Sequence, residues 1–378
     1  MKQIARIIST YTADVSGVCS ALYELGGMVV MHDPSGCNST YNTHDEPRWY
    51  DMDSLIFISG LAEIDAIMGN DEKLIDDVVT AAEQLSPAFI ALARTPVPML
   101  NGTDFDAIAS VITKRTGIPA FYFPTNGTHS YVMGAGMALE KIADYYVKAP
   151  EEGGAINPAG VNLLGVTPLD FSVNGTVESM KAFLKDNDFE LISCFAMGSS
   201  LEELEKAGKG GVNLVVSSVG LPAARVLRAK FGTPYVVGTP VGSMGKVIAE
   251  DLKQAARTGE NIISCRKRPP AEEAEIAVIG EAVTSASLAA SVSMSHGKAV
   301  KVICPLEADD ELFVSGDERA AYEEEQEELL KDMPVIIADP MYRPICPEKS
   351  RFYELPHEAF SGRIYRRKIP DLVKNTPH

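Results

Sequence analysis

The chain has 378 residues, of which 46% are hydrophobic and 23% charged, so it is long enough for two or three globular domains. Its formal net charge of −18 argues against a protein that binds the phosphate backbone of nucleic acids. Residues 1–17 lack the features of a signal peptide, and no apolar run approaches the ~20 residues of a membrane-spanning helix. We therefore expect a cytoplasmic protein with no membrane contact.

Strand and helix patterns alternate from the N-terminus onward. Apolar runs predict strands within 26–32, 54–60, 88–97 and 118–127. Longer stretches between and after them predict helices within 62–85, 104–117 and 130–149. This βαβα order indicates a parallel sheet covered by helices, and its strands are continuous apolar runs because both faces of such a sheet are buried.

Two segments indicate domain boundaries. Residues 149–160, APEEGGAINPAG, and residues 266–275, RKRPPAEEAE, combine prolines with charged residues, and the first also has several glycines. Strand and helix patterns resume after each. We therefore predict three α/β domains over 1–152, 153–268 and 269–378, the last with a C-terminal tail. Within the last, the acidic run 317–333 indicates either a solvated helix face or a docking surface.

The cysteines are too sparse for a disulfide framework, and none forms a CxxC pair. They are Cys19, Cys37, Cys194, Cys265, Cys304 and Cys346. The last four have no other cysteine at a spacing that would indicate a metal site, and they are predicted to be structural. Cys37 differs because it follows the strand at 28–32 in the turn HDPSGC. Ligands of open α/β sheets lie beyond the carboxyl ends of strands, so a thiol there is expected to face a crevice or an interface.

Cys19 could join Cys37 at the same end of the sheet, because only a helix, a strand and a turn separate them. Two thiolates do not complete an iron–sulfur site, since a 4Fe–4S cluster generally has four ligands. A symmetric homodimer would supply four, two from each chain. The residues alone leave two buried structural cysteines as the alternative.

Several other kinds of site lack support. The segment GTPVGSMGKV, 238–247, has Pro240 where a P-loop needs its first glycine and Val247 where it needs Ser or Thr. A dinucleotide-binding GxGxxG does not follow the first strand. The GxSxG and HExxH motifs of hydrolases are absent from the sequence.

Six segments, taken in chain order, resemble the nitrogenase component 1 family. HDPSGC resembles the HGPxGC motif of that family, in which the cysteine binds an iron–sulfur cluster. Residues 61–78 resemble its acidic E-x-D segment, 93–108 its segment after the next strand, and 123–136 its Gly-rich turn and helix. Residues 213–242 resemble a segment of its middle domain, and 355–363 a late segment of its smaller members.

The resemblance implies three Rossmann-like, doubly wound α/β domains with parallel sheets around a central cleft. It implies the catalytic component of an anaerobic nitrogenase-like oxidoreductase, which receives electrons from an ATP-dependent iron protein and reduces an organic substrate; a tetrapyrrole is one candidate. The chain would form a homodimer and share one 4Fe–4S cluster, with Cys19 and Cys37 of both chains as metal ligands. Gly36 would offer its backbone N–H to the cluster, His32 would lie just outside the ligands, and His129 is a candidate proton donor.

Three departures from the family pattern limit this expectation. Thr95 stands where nitrogenases have a third cluster cysteine, which argues against an eight-iron cluster. Ser217 stands at the position of the cysteine with which nitrogenases hold their large molybdenum–iron cofactor. We therefore expect neither that cofactor nor dinitrogen reduction. Asp33 replaces a frequent glycine.

Two alternatives to a reductase stay open. One is a scaffold or carrier that holds a cluster during metallocofactor assembly. The other is a cluster-free binding module of the same fold. Iron content separates the binding module from the other two, and ATP-dependent turnover separates reductase from scaffold.

Overall fold

The computed structural model describes residues 5–10, 13–34, 36, 45–150 and 156–374. Its strands form three parallel sheets that follow one another along the chain, so the predicted α/β class with parallel sheets is confirmed. Each sheet lies within one of the three predicted domain ranges, while the boundaries themselves stay a prediction. No helix among the described residues is long and apolar enough to cross a membrane.

The first sheet has the strand order β2-β1-β3-β4. Its strands are β1 (Met28–His32), β2 (Leu55–Ile58), β3 (Ile90–Arg94) and β4 (Ala120–Phe123). Its helices are α1 (Asp14–Leu22), α2 (Glu63–Met68), α3 (Asp71–Leu85), α4 (Pro96–Asn101), α5 (Phe105–Thr116) and α6 (Tyr131–Tyr146). The strands β1 and β3 are almost wholly buried, which explains their continuous apolar sequence.

The helix predicted over 62–85 is in fact two helices, α2 and α3. Gly69 ends α2 in the left-handed conformation, with φ of 72°, and Asn70 then caps α3 by accepting a hydrogen bond from the backbone of Lys73. The Gly-Asn pair is a stop signal followed by a start signal, and the sequence prediction overlooked it.

The middle sheet has the order β6-β5-β7-β8-β9. Its strands are β5 (Asn157–Val166), β6 (Glu190–Ala196), β7 (Gly210–Val215), β8 (Tyr235–Val237) and β9 (Ile262–Ile263). Its helices are α7 (Pro168–Phe171), α8 (Thr176–Asp186), α9 (Leu201–Leu204), α10 (Leu221–Phe231) and α11 (Met244–Thr258).

The third sheet has the order β12-β11-β10-β13-β14. Its strands are β10 (Ile276–Ile279), β11 (Val300–Cys304), β12 (Glu318–Arg319), β13 (Val335–Ala338) and β14 (Arg351–Glu354), and its helices are α12 (Ala282–His296), α13 (Glu323–Leu330) and α14 (Glu358–Ser361). The acidic run 317–333 therefore holds a short strand and a helix. One hydrophobic cluster includes Val18, Leu164 and Val278, so the three sheets share a core.

The helix that carries Cys19 packs directly on α6 through two glycines. A Cβ at Gly134 of α6 would lie 1.8 Å from the carbonyl oxygen of Asp14, and a Cβ at Gly17 of α1 would lie 2.2 Å from that of Tyr131. Because these neighbours are backbone atoms, they cannot move away by a side-chain rotation. Only glycine allows the two helices to approach so closely.

Gly134→Ala should therefore lower the free energy of unfolding by about 3 kcal/mol, since the added methyl forces α1 and α6 apart. Gly245→Ala is the matched control, because its Cβ would meet its nearest atom at 3.6 Å. We expect this control to be neutral or to stabilise α11 by up to about 1 kcal/mol. Urea unfolding of both variants measures the difference, and equal stabilities would contradict the close packing.

Candidate functional site

The carboxyl ends of the central strands β1 and β3 form the first part of the site. The order β2-β1-β3-β4 reverses direction between these two strands, and ligands of such sheets bind in the crevice beyond that point. His32 ends β1, Asp33 follows it, and Thr95 directly follows β3. The motif HDPSGC thus begins at the place where a doubly wound sheet binds its ligand.

Two of the residues that depart from the family pattern contact each other here. Thr95 Oγ1 lies 2.7 Å from Asp33 Oδ1 and 2.7 Å from the carbonyl oxygen of His32. Both side chains are buried. The Thr95 hydroxyl therefore joins the first turn after β1 to the start of α4.

His32 is a neutral imidazole at this edge. Burial, reinforced by the positive charge of Lys73, lowers the pKa of His32 to about 4. Its Nδ1 shares a 2.8 Å hydrogen bond with Ser59 Oγ, and its ring lies edge-on to Phe105 at 5.7 Å between centroids. His32 thus adds no positive charge to the site at neutral pH.

Thr95→Val should cost about 1–3 kcal/mol of unfolding free energy, because it removes a buried hydroxyl donor that two acceptors share while keeping the side-chain shape. Thr95→Ser keeps the hydroxyl and should stay within about 1 kcal/mol of the parent chain. Thermal or urea unfolding of the two variants measures this. Equal destabilisation by both would mean that packing of the methyl group, not the hydrogen bond, stabilises the turn.

Cys19 lies in the middle of α1 with no exposed surface. Burial, and secondarily the nearby Glu46 carboxylate, raises the pKa of the Cys19 thiol far above its ordinary value. The thiol is therefore neutral unless a bound cation compensates for a thiolate charge.

The surroundings of Cys19 contain a buried polar network. Arg48 donates to a carboxylate oxygen of Glu46 at 2.6 Å, to Glu24 at 2.9 Å and to the carbonyl oxygen of Ser20 at 2.8 Å. The hydroxyl of Ser20, next to Cys19, is buried and has no hydrogen-bond partner in the described part of the chain. A buried hydroxyl without a partner can donate a hydrogen bond to the sulfur atom of a bound group.

The second cysteine of the predicted pair, Cys37, lies outside the described residues. Gly36 is described, and a Cβ there would meet no atom of the described residues within 4 Å. In the described ranges, no group of three or more His, Cys, Asp or Glu side chains could hold a metal ion. The approach of Cys37 to Cys19, and the roles of Gly36 and His32, therefore stay predictions.

The remaining four cysteines show no arrangement for metal binding or catalysis. Cys194, Cys265 and Cys304 are fully buried, and burial raises the pKa of each thiol to about 12. Cys346 is half-buried and donates a hydrogen bond to the carbonyl oxygen of Tyr342 at 3.2 Å. Burial raises the pKa of all four thiols and so disfavours the thiolate, the form of cysteine that reacts or binds metal.

A large cleft opens between the first and third sheets. Its volume is about 990 Å³, and its walls include residues 127–130 after β4 and residues 305–307 after β11. His129 lines it, with half of its side chain exposed and Nδ1 3.3 Å from Glu307 Oε1. A volume of this size can hold a drug-sized organic molecule.

Helix α1 connects this cleft to Cys19. Its N-terminus is fixed to the Gly-rich turn, because the buried Asp14 carboxylate accepts backbone hydrogen bonds from Asn126 at 2.9 Å and Gly127 at 2.8 Å. Ala13, which precedes the helix, lines the cleft. At 1.5 Å per residue, Cys19 lies about 9 Å further along the helix axis. The predicted cluster ligand and the cleft are therefore close neighbours.

A second polar cluster joins the three sheets at their centre, and sequence reasoning missed most of it. Asp170 is buried after β5, where it accepts hydrogen bonds from Tyr131, from Ser217 at 2.7 Å and from Thr167 at 2.9 Å. His357 Nε2 lies 3.6 Å from Asp170 Oδ1. Both ring nitrogens of His357 are buried, and neither has a hydrogen-bond partner among the described residues.

Glu281 completes this cluster from the third sheet. Its carboxylate caps α12 and accepts a 2.9 Å hydrogen bond from the backbone of Ser218. Burial, followed by repulsion from Asp170, raises the pKa of Glu281. The adjoining cavity has a volume of only about 40 Å³, too small for an organic substrate. The polar residues after the central strands β5, β7 and β10 were the sequence signal for this cluster.

Comparison with known proteins identifies the family to which the chain belongs. The family model of nitrogenase component 1 type oxidoreductases matches residues 16–289. The chain is 27% identical over 181 residues to one subunit of the light-independent protochlorophyllide reductase of Nostoc punctiforme, and the match covers 46% of this chain and 36% of that protein. It is 22% identical over 232 residues to the nitrogenase iron-molybdenum cofactor biosynthesis protein NifE of Bradyrhizobium diazoefficiens, covering 60% and 41% respectively.

A solved structure described as nitrogenase Cp1 at pH 5 has the same fold. Its TM-score is 0.68 at 16% identity, and the match covers 99% of this chain and 88% of that one. The two curated relatives, in contrast, are each matched over less than half of their length. The predicted resemblance and the predicted oxidoreductase class are thus confirmed: the chain belongs to the nitrogenase component 1 type oxidoreductase family.

Proposed function

We propose that this chain is the catalytic component of a nitrogenase-like reductase. The observation that carries the proposal is that one helix, α1, joins the cysteine of the predicted cluster to a cleft large enough for an organic substrate. Electrons would come from an ATP-dependent iron protein, and the product would leave from the cleft. One relative, which is part of a protochlorophyllide reductase, supports reduction of an organic molecule, and a tetrapyrrole stays a candidate substrate.

Cys19 and Cys37 of two identical chains would hold one 4Fe–4S cluster. When bound, the cluster supplies single low-potential electrons. The burial of Cys19 excludes water from its thiolate, and the Ser20 hydroxyl can donate to a sulfur atom. Because Cys19 has no exposed surface in a single chain, its side chain would have to become accessible before it could bind a cluster shared with a second chain.

His129 would deliver protons in the cleft. Its Nδ1 faces Glu307, so Nε2 is the ring nitrogen that can turn toward a bound molecule. The carboxylate fixes the ring, as expected for a group that must repeat proton transfer in one orientation.

The iron protein would dock on an apolar surface formed by α2 and α4. Both helices follow strands of the first sheet, so they begin at the same edge as His32, the first residue of the HDPSGC motif. Ile64, Ile67 and Met68 of α2 are 64%, 71% and 74% exposed, and Leu100 of α4 is 79% exposed. Asn101 donates a 2.8 Å hydrogen bond to the carbonyl oxygen of Ala66 and holds the two helices together. Clustered apolar side chains at such exposure are typical of an interaction surface.

Ile67→Asp combined with Leu100→Asp should abolish measurable electron transfer from the iron protein, because charges would replace the apolar centre of the contact. Iron content and molecular mass in solution should not change. Phe57→Asp is a control, since this exposed residue lies on the edge strand β2. A fall in mass from dimer to monomer would show instead that the α2–α4 surface joins two copies of the chain.

A scaffold or carrier is the second candidate function, and the similarity to a cofactor biosynthesis protein favours it. Such a chain would bind a cluster and release it intact without ATP-dependent turnover. The reductase would keep its cluster and oxidise reduced iron protein only when substrate and ATP are present.

The experiment that tests the proposal begins with iron and acid-labile sulfide per chain, on protein purified without oxygen, together with its mass in solution. About two irons per chain in a dimer is the expected result for one shared four-iron cluster. The dimer is then mixed with iron protein, ATP and candidate substrates. If the chain holds no iron after anaerobic reconstitution, the reductase and the scaffold are both excluded, and a cluster-free binding module is the alternative that is left.

A further inference from the structure

The walls of the cleft between the first and third sheets are strongly acidic. Among the described residues, seven side chains that are charged at neutral pH line it, six of them carboxylates: Glu307, Asp310, Asp317, Glu318, Glu323, Glu325 and the one cation, Arg319. Three carboxylates have arginine partners: Asp317 pairs with Arg268, Glu323 with Arg6 and Asp310 with Arg319. In the described part of the chain, Glu307, Glu318 and Glu325 have no Lys or Arg partner within ion-pair distance.

Glu307 stays ionised in spite of its partial burial. Burial raises the pKa of this carboxyl, but hydrogen bonds from Ser130 and His129 outweigh it, so that its pKa lies below the ordinary value. The backbone N–H of Ser130 lies 3.1 and 3.2 Å from the two carboxylate oxygens. A fixed negative charge therefore lies at the junction of the two walls.

A second and independent observation concerns a buried polar atom that has no hydrogen-bond partner among the described residues. Gln326 of α13 lines the cleft and is only 4% exposed. Its Nε2 donates to the carbonyl oxygen of Ala320 at 2.8 Å, whereas its Oε1 has no hydrogen-bond partner among the described residues. An amide oxygen can only accept, so its missing partner is a donor.

We propose that this cleft binds an organic cation that presents N–H donors, such as an ammonium or amidinium group. Its positive charge would be held by Glu307, Glu318 and Glu325, and an N–H group would reach Gln326 Oε1. A ligand with several free carboxylates would be repelled by the same walls. Where this ligand is the substrate, the inference rests on the proposed function and narrows the substrate to nitrogen-bearing molecules that are not polyanions.

Binding can be measured on the full chain without cluster, iron protein or turnover. Spermidine serves as the cationic probe and citrate as the anionic one, in isothermal titration calorimetry at low ionic strength. We expect one spermidine per chain with highest affinity and no citrate binding. The combination of Glu307→Gln and Glu318→Gln should weaken spermidine binding about tenfold, since two near-surface charges are removed.

The matched control is Glu324→Gln combined with Glu348→Gln. Both residues are exposed and do not line the cleft, and the net charge of the chain changes by the same amount. If this control weakens spermidine binding equally, the attraction comes from the overall charge of the protein and the proposal is wrong. Citrate binding at the cleft would overturn it too.

Gln326→Met tests the unpartnered acceptor separately. It keeps the size of the side chain and should weaken spermidine binding several-fold, whereas an unchanged affinity would exclude Gln326 from the site. Because binding is scored without iron, a failed titration leaves the iron stoichiometry of the proposed function intact. Conversely, an iron-free chain that binds spermidine would overturn only the reductase.

Discussion

Replacing either predicted cluster ligand should remove nearly all iron from the protein. Cys37→Ser is expected to lose the cluster absorbance while the fold stays intact, because the sequence predicts a turn at this residue rather than a core position. Cys19→Ala should have the same effect, since two thiolates per chain leave no spare ligand for a four-iron cluster. Iron and sulfide analysis after anaerobic reconstitution, with the visible spectrum, measures the loss from about two irons per chain to almost none.

Cys346→Ser is the control for thiol chemistry in general, because Cys346 is half-buried and distant in sequence from the motif. It should retain full iron content. If Cys37→Ser also retains its iron, the ligand assignment is wrong. If Cys19→Ala alone retains it, Cys37 acts with another ligand and Cys19 is a core residue of α1.

Asp170→Ala should destabilise the chain by about 3–4 kcal/mol, one of the largest effects expected from a single substitution. Asp170 accepts the hydroxyl hydrogens of Tyr131, Thr167 and Ser217, which are all deeply buried. Its removal leaves these donors without an acceptor in a region that water does not reach freely. Because Tyr131 belongs to the first sheet's helix α6, the junction between sheets should loosen first.

Urea unfolding measures the loss, and hydrogen exchange at the start of α6 locates it. Asp170→Asn keeps one acceptor oxygen and should lose only about half as much. Asp186→Ala, on the exposed end of α8, should change stability by no more than about 0.5 kcal/mol. A two-state Asp170→Ala chain with parental stability would contradict the view that this cluster joins the three sheets.

Much of the architecture was predictable because the sequence of each strand or helix indicates its type without reference to distant residues. The runs MVVMH and IALAR are apolar on both faces, which only a sheet covered by helices explains. Gly117 ends α5 in the left-handed conformation, as its position after the helical run predicts. The break between α2 and α3 shows the limit, since a continuous amphipathic pattern concealed a Gly-Asn stop and start.

The site was predictable only in part. The motif HDPSGC begins at the end of a buried strand, and this position alone indicates the edge of the sheet where ligands bind. In contrast, the contact between Thr95 and Asp33 joins residues 62 positions apart. No local pattern shows that these two departures from the family form one hydrogen-bonded pair.

The sequence by itself determined the class of fold, the family and the two cysteines that are predicted to bind the cluster, because these depend on short runs and motifs, and on their order along the chain. Only the tertiary structure decided what meets at the centre. Tyr131, Asp170, Glu281 and His357 come from distant segments of the chain. They converge because each follows the carboxyl end of a strand, and these ends come from all three sheets. The same convergence forms the acidic cleft, whose walls come from turns about 180 residues apart along the chain.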